Sequence, residues 1–301
     1  MQKNKTVIIL GSSGLLGRNF VRQYLEKKWR VIACYQAHEV IQPSPLFIPF
    51  KIDILDKYEI QAALNFYKPH LIIHCAGLTN VDRCEQEPDL AYKLNGESVR
   101  EAASYSKTND SQFVYISTDH LFSGNESFYT ESNPISPLNV YAKSKLFGEN
   151  IALEENEKSL IIRTNFFGRG LAWRQSLTDW LWFNLKQNKE IKAFEDSFFS
   201  PIAIPKLIQF TEDLISLQAS GIFNVCGGER INKFNFAKKF ANYFSLNENL
   251  IIPSLVSSAD LQAPRPKDMS LATDKISNFL RTEMPNIEQN FEAIASEYIN
   301  E

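Results

Sequence analysis

The sequence predicts an α/β protein: a doubly wound parallel sheet followed by a smaller C-terminal domain. Three observations predict it. An apolar strand runs into a glycine-rich turn near the start of the chain. Strand and helix signals alternate as far as Arg163. Beyond that point aromatic residues become dense. Alternation of this kind favours parallel strands joined by crossover helices, the arrangement of a Rossmann-type sheet. The expected division is a dinucleotide-binding domain over 1–163, with a returning strand near 221–226, and a second domain over the remainder of 164–301.

Thr6 to Leu10 is an unbroken apolar run, as suits a strand buried on both faces. Gly11-Ser12-Ser13-Gly14-Leu15-Leu16-Gly17 follows directly. Phe20, Val21, Tyr24 and Leu25 then mark a helix over Arg18 to Lys28. Flanked by strand and helix, the glycine motif acquires a meaning. Its first glycine allows a tight turn, its second lets backbone amides approach a pyrophosphate, and its third permits close helix–strand packing. The helix N-terminus adds about half a positive charge.

Arg30 to Tyr35 reads as the second strand. An acid at its end would accept the ribose hydroxyls of NAD, whereas a basic residue would favour NADP. Tyr35-Gln36-Ala37-His38 offers no carboxylate before Glu39. That favours NADP(H) and leaves NAD(H) open. Arg18 and His38 are then either phosphate partners or ordinary surface side chains. Asp53, after the apolar segment Leu46 to Ile52, is placed to meet an adenine or to cap the next helix.

Further along, Tyr58 to Tyr67 reads as a helix and His70 to Cys75 as a strand ending in Ala76-Gly77. Asp89 to Lys107 reads as one long helix, and Gln112 to Ser117 as a strand running into Thr118-Asp119. Pro137 to Glu155 reads as a helix and Leu160 to Arg163 as a strand. Within the penultimate helix Tyr141 and Lys145 stand four residues apart, on one face and one turn apart. A phenol beside a fixed cation can exchange a proton near neutrality. Its free pKa of about 10 must fall by about 3 units, or about 4 kcal/mol, and one close cation typically supplies about 1–3 units.

After Arg163 come Phe166, Phe167, Trp173, Trp180, Trp182, Phe183, Phe198 and Phe199. Such a cluster suits a core better than a ligand site, although some members could line a pocket. Gly221 to Cys226 reads as a strand rejoining the main sheet and Phe234 to Phe244 as a helix. Pro264-Arg265-Pro266 reads as a rigid extended element, and the chain after Pro285 is amphipathic.

Bulk properties narrow the function. The chain has 301 residues and a net charge of −3, which provides no basic field for nucleic acid. No apolar run approaches the roughly 20 residues that span a bilayer. The polar, basic start lacks a secretory h-region, so a cytoplasmic protein is expected. Cys34, Cys75, Cys84 and Cys226 show no C-x-x-C pairing and read as free thiols. The four histidines form no H-E-x-x-H set, so no catalytic zinc is expected.

Taken in order, the motifs resemble the dTDP-4-dehydrorhamnose reductase family of extended short-chain dehydrogenases/reductases. The resemblance begins with Gly11-Ser-Ser-Gly14-Leu-Leu-Gly17-Arg18. It continues through His74-Cys-Ala-Gly-Leu-Thr-Asn-Val-Asp82, Glu85, Pro88 and Leu94-Asn95. Ser117-Thr-Asp-His-Leu-Phe-Ser-Gly124 follows, then Pro137-Leu-Asn-Val-Tyr141 with Lys145 and Gly148-Glu149. Ser200-Pro201, Gly221-Ile-Phe-Asn-Val225, Arg265-Pro266 and Ser270-Leu271 complete it.

The resemblance implies NAD(P)H-dependent reduction of a 4-keto group on a nucleotide-activated deoxysugar. Tyr141 would be the proton donor, Lys145 its activator and ribose anchor, and Thr118 the hydroxyl that orients the ketone, with the acid Asp119 beside it. Gly11, Ser13, Gly14, Leu15 and Leu16 would hold the coenzyme pyrophosphate. Asp53 and Ile54 would meet the adenine, Cys75-Ala76-Gly77 the ribose, and Ser117 the nicotinamide edge. Arg265 would pair with the substrate diphosphate. The chain departs from the family at His120 (usually tyrosine), at Cys75 and Gly77, and at Asp268 and Met269. The related 4,6-dehydratases need a glutamate where His120 stands, which disfavours elimination. Two alternatives stay open. One is a sugar-nucleotide epimerase. The other is a non-catalytic NADP-binding regulatory subunit resembling the methionine adenosyltransferase beta subunit. A nucleotide sugar is the expected partner, with a homodimer allowed.

Overall fold

The computed structural model describes residues 5–171 and 173–299. In chain order the first elements are β1 (Thr6–Leu10), α1 (Leu15–Glu26), β2 (Arg30–Tyr35), β3 (Phe47–Lys51), α2 (Lys57–Tyr67), β4 (Leu71–His74), α3 (Val81–Gln86), α4 (Pro88–Asn95), α5 (Arg100–Thr108), β5 (Gln112–Ile116), α6 (Val140–Glu155) and β6 (Leu160–Arg163). The later elements are β7 (Phe166–Phe167), α7 (Leu177–Lys186), β8 (Ile191–Phe194), β9 (Phe198–Phe199), β10 (Ile202–Ala203), α8 (Ile204–Ser216), β11 (Gly221–Asn224), β12 (Ile231–Asn232), α9 (Lys233–Tyr243), β13 (Ile251–Ser254), α10 (Asp274–Leu280), α11 (Ile287–Ile294) and α12 (Ser296–Ile299).

Seven strands form one sheet in the order β11-β6-β5-β4-β1-β2-β3. Every pair from β3 across to β6 is parallel. This is the doubly wound sheet the alternation predicts, with its switch point between β1 and β4. All five residues of β1 are buried, because helices cover both faces of such a sheet. Burying one Ile or Leu side chain of this kind is worth about 1.5–3 kcal/mol. The returning strand expected after Gly221 is β11, at the sheet edge beside β6.

The chain divides into two compact units. The first comprises residues 1–117, 139–162 and 214–222, and the second comprises 118–138, 163–213 and 223–301. The first unit's core includes Ile8, Ile32, Ile72, Phe113 and Tyr115. In the second unit Phe167, Phe199, Phe236, Phe240 and Phe291 form an aromatic core. Ring centroids are 5.4 Å apart for Phe236–Phe291 and 5.6 Å apart for Phe240–Phe291. Such pairs add about 0.5–1.5 kcal/mol beyond their area. Most of the aromatic density after Arg163 is therefore packing, though Trp173 stays exposed.

The single helix expected over Asp89 to Lys107 is broken. It ends at Asn95, with Gly96 as C-cap, and resumes at Arg100 after a short 3-10 turn. A β-carbon at Gly96 would collide with the Phe147 ring of α6. The chain thus bends where α6 packs closely against it. The helix expected from Pro137 begins at Val140. Asn139 caps it by accepting from the Ala142 amide at 2.9 Å.

Candidate active site

The glycine turn lies at the carboxyl end of β1. Gly11 has φ +81°, and a β-carbon there would lie 2.6 Å from the Ala76 amide nitrogen. This glycine therefore permits both the turn and close contact with the segment after β4. A β-carbon on Gly17 would strike the Gly11 carbonyl, so the third glycine serves helix–strand packing. Gly14 is the N-cap of α1 and supplies no side-chain bond. Leu15 and Leu16 thus open a helix whose first-turn amides receive no side-chain cap, and these donors fit a pyrophosphate. Ser12 is turned inward and donates to the Cys34 carbonyl at 2.9 Å, whereas Ser13 is partly exposed.

Asp53 does not cap α2. That cap is Asp56, whose carboxylate accepts from the Tyr58 and Glu59 amides. Asp53 instead accepts from the Leu55 amide at 2.9 Å and, with Ile54, remains partly exposed. At the end of β2 the Tyr35 hydroxyl is raised in pKa by burial, by the Glu39 charge and by a hydrogen bond with Glu39. Glu39 is thus engaged with the Tyr35 hydroxyl. His38 is exposed.

The segment Cys75-Ala76-Gly77 is fixed from below by Asn95. The Asn95 Oδ1 accepts from the Leu78 amide at 2.8 Å, and its Nδ2 donates to the Leu78 carbonyl at 3.0 Å and to Ser144 Oγ at 2.9 Å. A β-carbon on Gly77 would lie 2.6 Å from that Oδ1. One buried amide thus ties the loop after β4 to the middle of α6. The N-terminus of α6 is also anchored where the Val140 amide donates to Glu85 at 2.7 Å. These bonds set the orientation of the helix carrying Tyr141 and Lys145.

Tyr141 is partly buried and packs against Leu78, Cys84 and Ala91. Lys145 is 5% exposed, and its Nζ donates to the Ile116 carbonyl at 2.6 Å. The ammonium lies 4.0 Å from the centroid of the Tyr115 ring. Room for that ring exists because residue 148 is glycine: a β-carbon there would collide with the Tyr115 hydroxyl. Burial pulls the Lys145 pKa down to about 7, against an upward pull from Glu149. Glu149 is itself 1% exposed and accepts from Ser117 Oγ at 2.5 Å. Tyr141, Lys145 and Glu149 thus recur every fourth residue along α6. His74, also buried, is held neutral with its pKa pushed down to about 3, by burial first and by Lys145 second. It adds no competing charge.

The remaining expected residues belong to the second unit. Thr118 and Asp119 are both buried. Asp119 Oδ2 accepts from Asn165 Nδ2 at 2.6 Å, and Oδ1 from the Thr118 hydroxyl at 3.3 Å. His120 lies 3.9 Å from Asp119. Burial, Lys233 and Arg265 lower its pKa despite that carboxylate, so the contact is not an ion pair at neutral pH. Arg265 donates to the Ala263 carbonyl at 3.1 Å. The departure at Asp268 is structural: it accepts from Arg230 Nε at 2.6 Å and from Ser270 Oγ at 2.6 Å.

Sequence reasoning assigned no role to Glu149, Asn95 or Tyr115. The fourfold spacing that singled out Tyr141 and Lys145 extends to Glu149 and was the available signal. A cavity of about 650 Å³ lined by Lys5, His70, Ser111, Gln112, Asn156 and Gln218 lies at the amino ends of β1, β4 and β5. Ligands of open parallel sheets bind at the carboxyl ends, so this cavity is not the candidate site. No helix among the described residues is long and apolar enough to cross a membrane.

A parallel sheet, an uncapped glycine turn and a buried lysine one turn from a tyrosine define the extended short-chain dehydrogenase/reductase class. Within it, the chain belongs to the family described as RmlD substrate binding domain, whose model matches residues 5–300. It is 27% identical over 294 residues to the probable low-salt glycan biosynthesis reductase Agl14 of Haloferax volcanii, covering 96% of this chain and 97% of that protein. It is also 27% identical to the methionine adenosyltransferase 2 subunit beta of Rattus norvegicus, covering 91% of this chain and 82% of that one. The solved dTDP-4-dehydrorhamnose reductase of Bacillus anthracis, in complex with NADP, superposes with a TM-score of 0.86 at 28% identity. That match covers 98% of this chain and 100% of the other.

Proposed function

We propose that the chain reduces the 4-keto group of a nucleotide-activated deoxysugar, with NADP(H) favoured over NAD(H). Its class is that of the NAD(P)H-dependent sugar-nucleotide oxidoreductases, in keeping with its family and its reductase relatives. A nicotinamide coenzyme fits the uncapped first turn of α1, and the NADP bound by the Bacillus reductase supports the preference.

One observation carries the proposal: the buried Lys145 ammonium one helical turn from Tyr141. The coenzyme supplies the hydride. Tyr141 gives its phenolic proton to the carbonyl oxygen, and Lys145 stabilises the phenolate left behind. Because Lys145 has a pKa of only about 7, the developing phenolate also holds the lysine in its charged form, and the two groups titrate as a pair. Thr118 orients the ketone, and Asp119 fixes that hydroxyl. Gly11, Ser13, Gly14, Leu15 and Leu16 hold the pyrophosphate. Asp53 and Ile54 meet the adenine, Cys75-Ala76-Gly77 the ribose, and Ser117 the nicotinamide edge. Arg265 pairs with the substrate diphosphate.

Oxidation of NADPH and NADH against a panel of 4-keto-sugar nucleotides tests this reading. Consumption of NADPH with at least one member is expected. A second reading rests on the likeness to the adenosyltransferase beta subunit. Coenzyme binding without turnover on any member, together with capture of a methionine adenosyltransferase catalytic subunit, would replace the first reading with the second.

A further inference from the structure

We propose that Glu149 is a positioning residue of the reductase site: held in place by Ser117, its carboxylate is the buried countercharge of the Lys145 ammonium. What that ammonium does in the reaction rests on the reductase reading above, while its charge can be measured without coenzyme or substrate.

The geometry begins at the carboxyl end of β5. Ser117 follows the strand directly, and its amide donates to the Ile162 carbonyl of β6 at 2.7 Å. The backbone here is therefore still fixed by the sheet. The Ser117 hydroxyl donates to Glu149 Oε1 at 2.5 Å. One residue earlier, the Ile116 carbonyl accepts from Lys145 Nζ at 2.6 Å. Two consecutive residues of one strand end thus hold the tips of two side chains that leave the same face of α6 one turn apart. Both side chains are buried, so solvent screens their attraction little.

An ammonium has three protons to place. One goes to the Ile116 carbonyl, and the Tyr115 ring face lies 4.0 Å from the nitrogen. Both partners are neutral, and burial among neutral partners favours the uncharged amine. The other groups around Lys145 do not supply the missing charge. From β4 and the residue after it, His74 is held neutral, and burial pushes the Cys75 thiol up to about 12. From β5, burial and then Glu149 and Tyr141 raise Tyr115 well above its ordinary value. On the preceding turn of α6, Tyr141 carries no charge until it gives up its proton. From α4 comes the uncharged amide of Asn95, which donates to Ser144. The charges from α3 and α5 meet α6 at its ends, where Glu85 accepts from the Val140 amide and Arg100 pairs with Glu155. Glu149 is left as the group that opposes burial and raises the Lys145 pKa. Without its carboxylate the lysine would be an amine at neutral pH, unable to stabilise the phenolate left on Tyr141.

NMR titration of the coenzyme-free protein, with its lysines labelled at the ε-carbon, tests the proposal; loss of one signal in Lys145→Met identifies Lys145. Glu149→Gln keeps the shape and an acceptor for Ser117 but removes the charge. It should move the Lys145 midpoint from about 7 to lower pH by on the order of one unit or more, and Glu149→Asp should recover most of that shift. In turnover the alkaline limb of the kcat profile should move the same way, because activity that needs the ammonium is lost as pH rises through its pKa. An unmoved midpoint in Glu149→Gln overturns the proposal. So does a fall in kcat with an unmoved alkaline limb, which marks a merely structural tie to Ser117. Should Glu149→Gln not fold, stability decides. Lys145→Met alone leaves a buried carboxylate without its cation, so adding Glu149→Gln to it should raise the melting temperature, and a melting temperature no higher than that of Lys145→Met overturns the proposal. A shifted midpoint in a protein that turns over no keto-sugar nucleotide would defeat the reductase reading and leave the countercharge standing.

Discussion

The two units carry their candidate groups in different ways. In the first, Tyr141, Lys145 and Glu149 stand on consecutive turns of one helix, and a buried amide, Asn95, ties that helix to the loop after β4. In the second, Asp119, His120, Lys233 and Arg265 come from three separate stretches of chain, joined through β9 and the packing of Gly124 on Lys267. The first arrangement is set by regular secondary structure and tolerates little change. The second depends on short strand pairings and a strap that bring distant stretches of chain together.

The largest expected effect sharpens that contrast. Tyr141→Phe should lower kcat by on the order of 10²–10⁴ while coenzyme affinity, read by fluorescence titration, stays within a few fold. An unchanged kcat would remove the phenol from the reaction. Next comes Arg265→Ala, expected to raise KM about tenfold or more through a lost charge-assisted contact, with kcat little altered. A fall in kcat at constant KM would break the separation between the units.

The smallest effect concerns pH. The Lys145 pKa is about 7 in the folded chain, below its ordinary value near 10.5. Between those values the unfolded chain binds more protons at this site, so stability should rise as pH rises through that window. Below about 7 both states are protonated and the burial penalty is fully present. Denaturant melts should show a flatter pH dependence for Lys145→Met than for wild type across pH 7 to 10, and equal slopes would contradict the depressed value.

The sheet and the coenzyme side were legible because both follow from local rules. The apolar run Thr6–Leu10 and three spaced glycines specify a turn that only particular neighbours permit. Tyr141 and Lys145 share a helix face by spacing alone. The break at Gly96 was hidden, and the Phe147 ring that leaves no room for a β-carbon there lies far along the chain. Lys233 carries no sequence signal, and only the pairing of β12 with β9 places it on Phe199. Asp53 could be a cap or an adenine contact from sequence, and the cap proves to be Asp56. Long-range packing, which periodicity does not encode, accounts for each of these gaps.

The missing side chain at Gly148 has a consequence for how this protein can drift. The Tyr115 ring fills the vacated space, its hydroxyl donates to the Asn95 carbonyl at 2.6 Å, and the Lys145 ammonium rests on its face. Adding even a methyl group at position 148 would expel the ring and unseat the cation above it. A substitution at position 115, 145 or 148 is therefore expected to need a matching change at one of the other two.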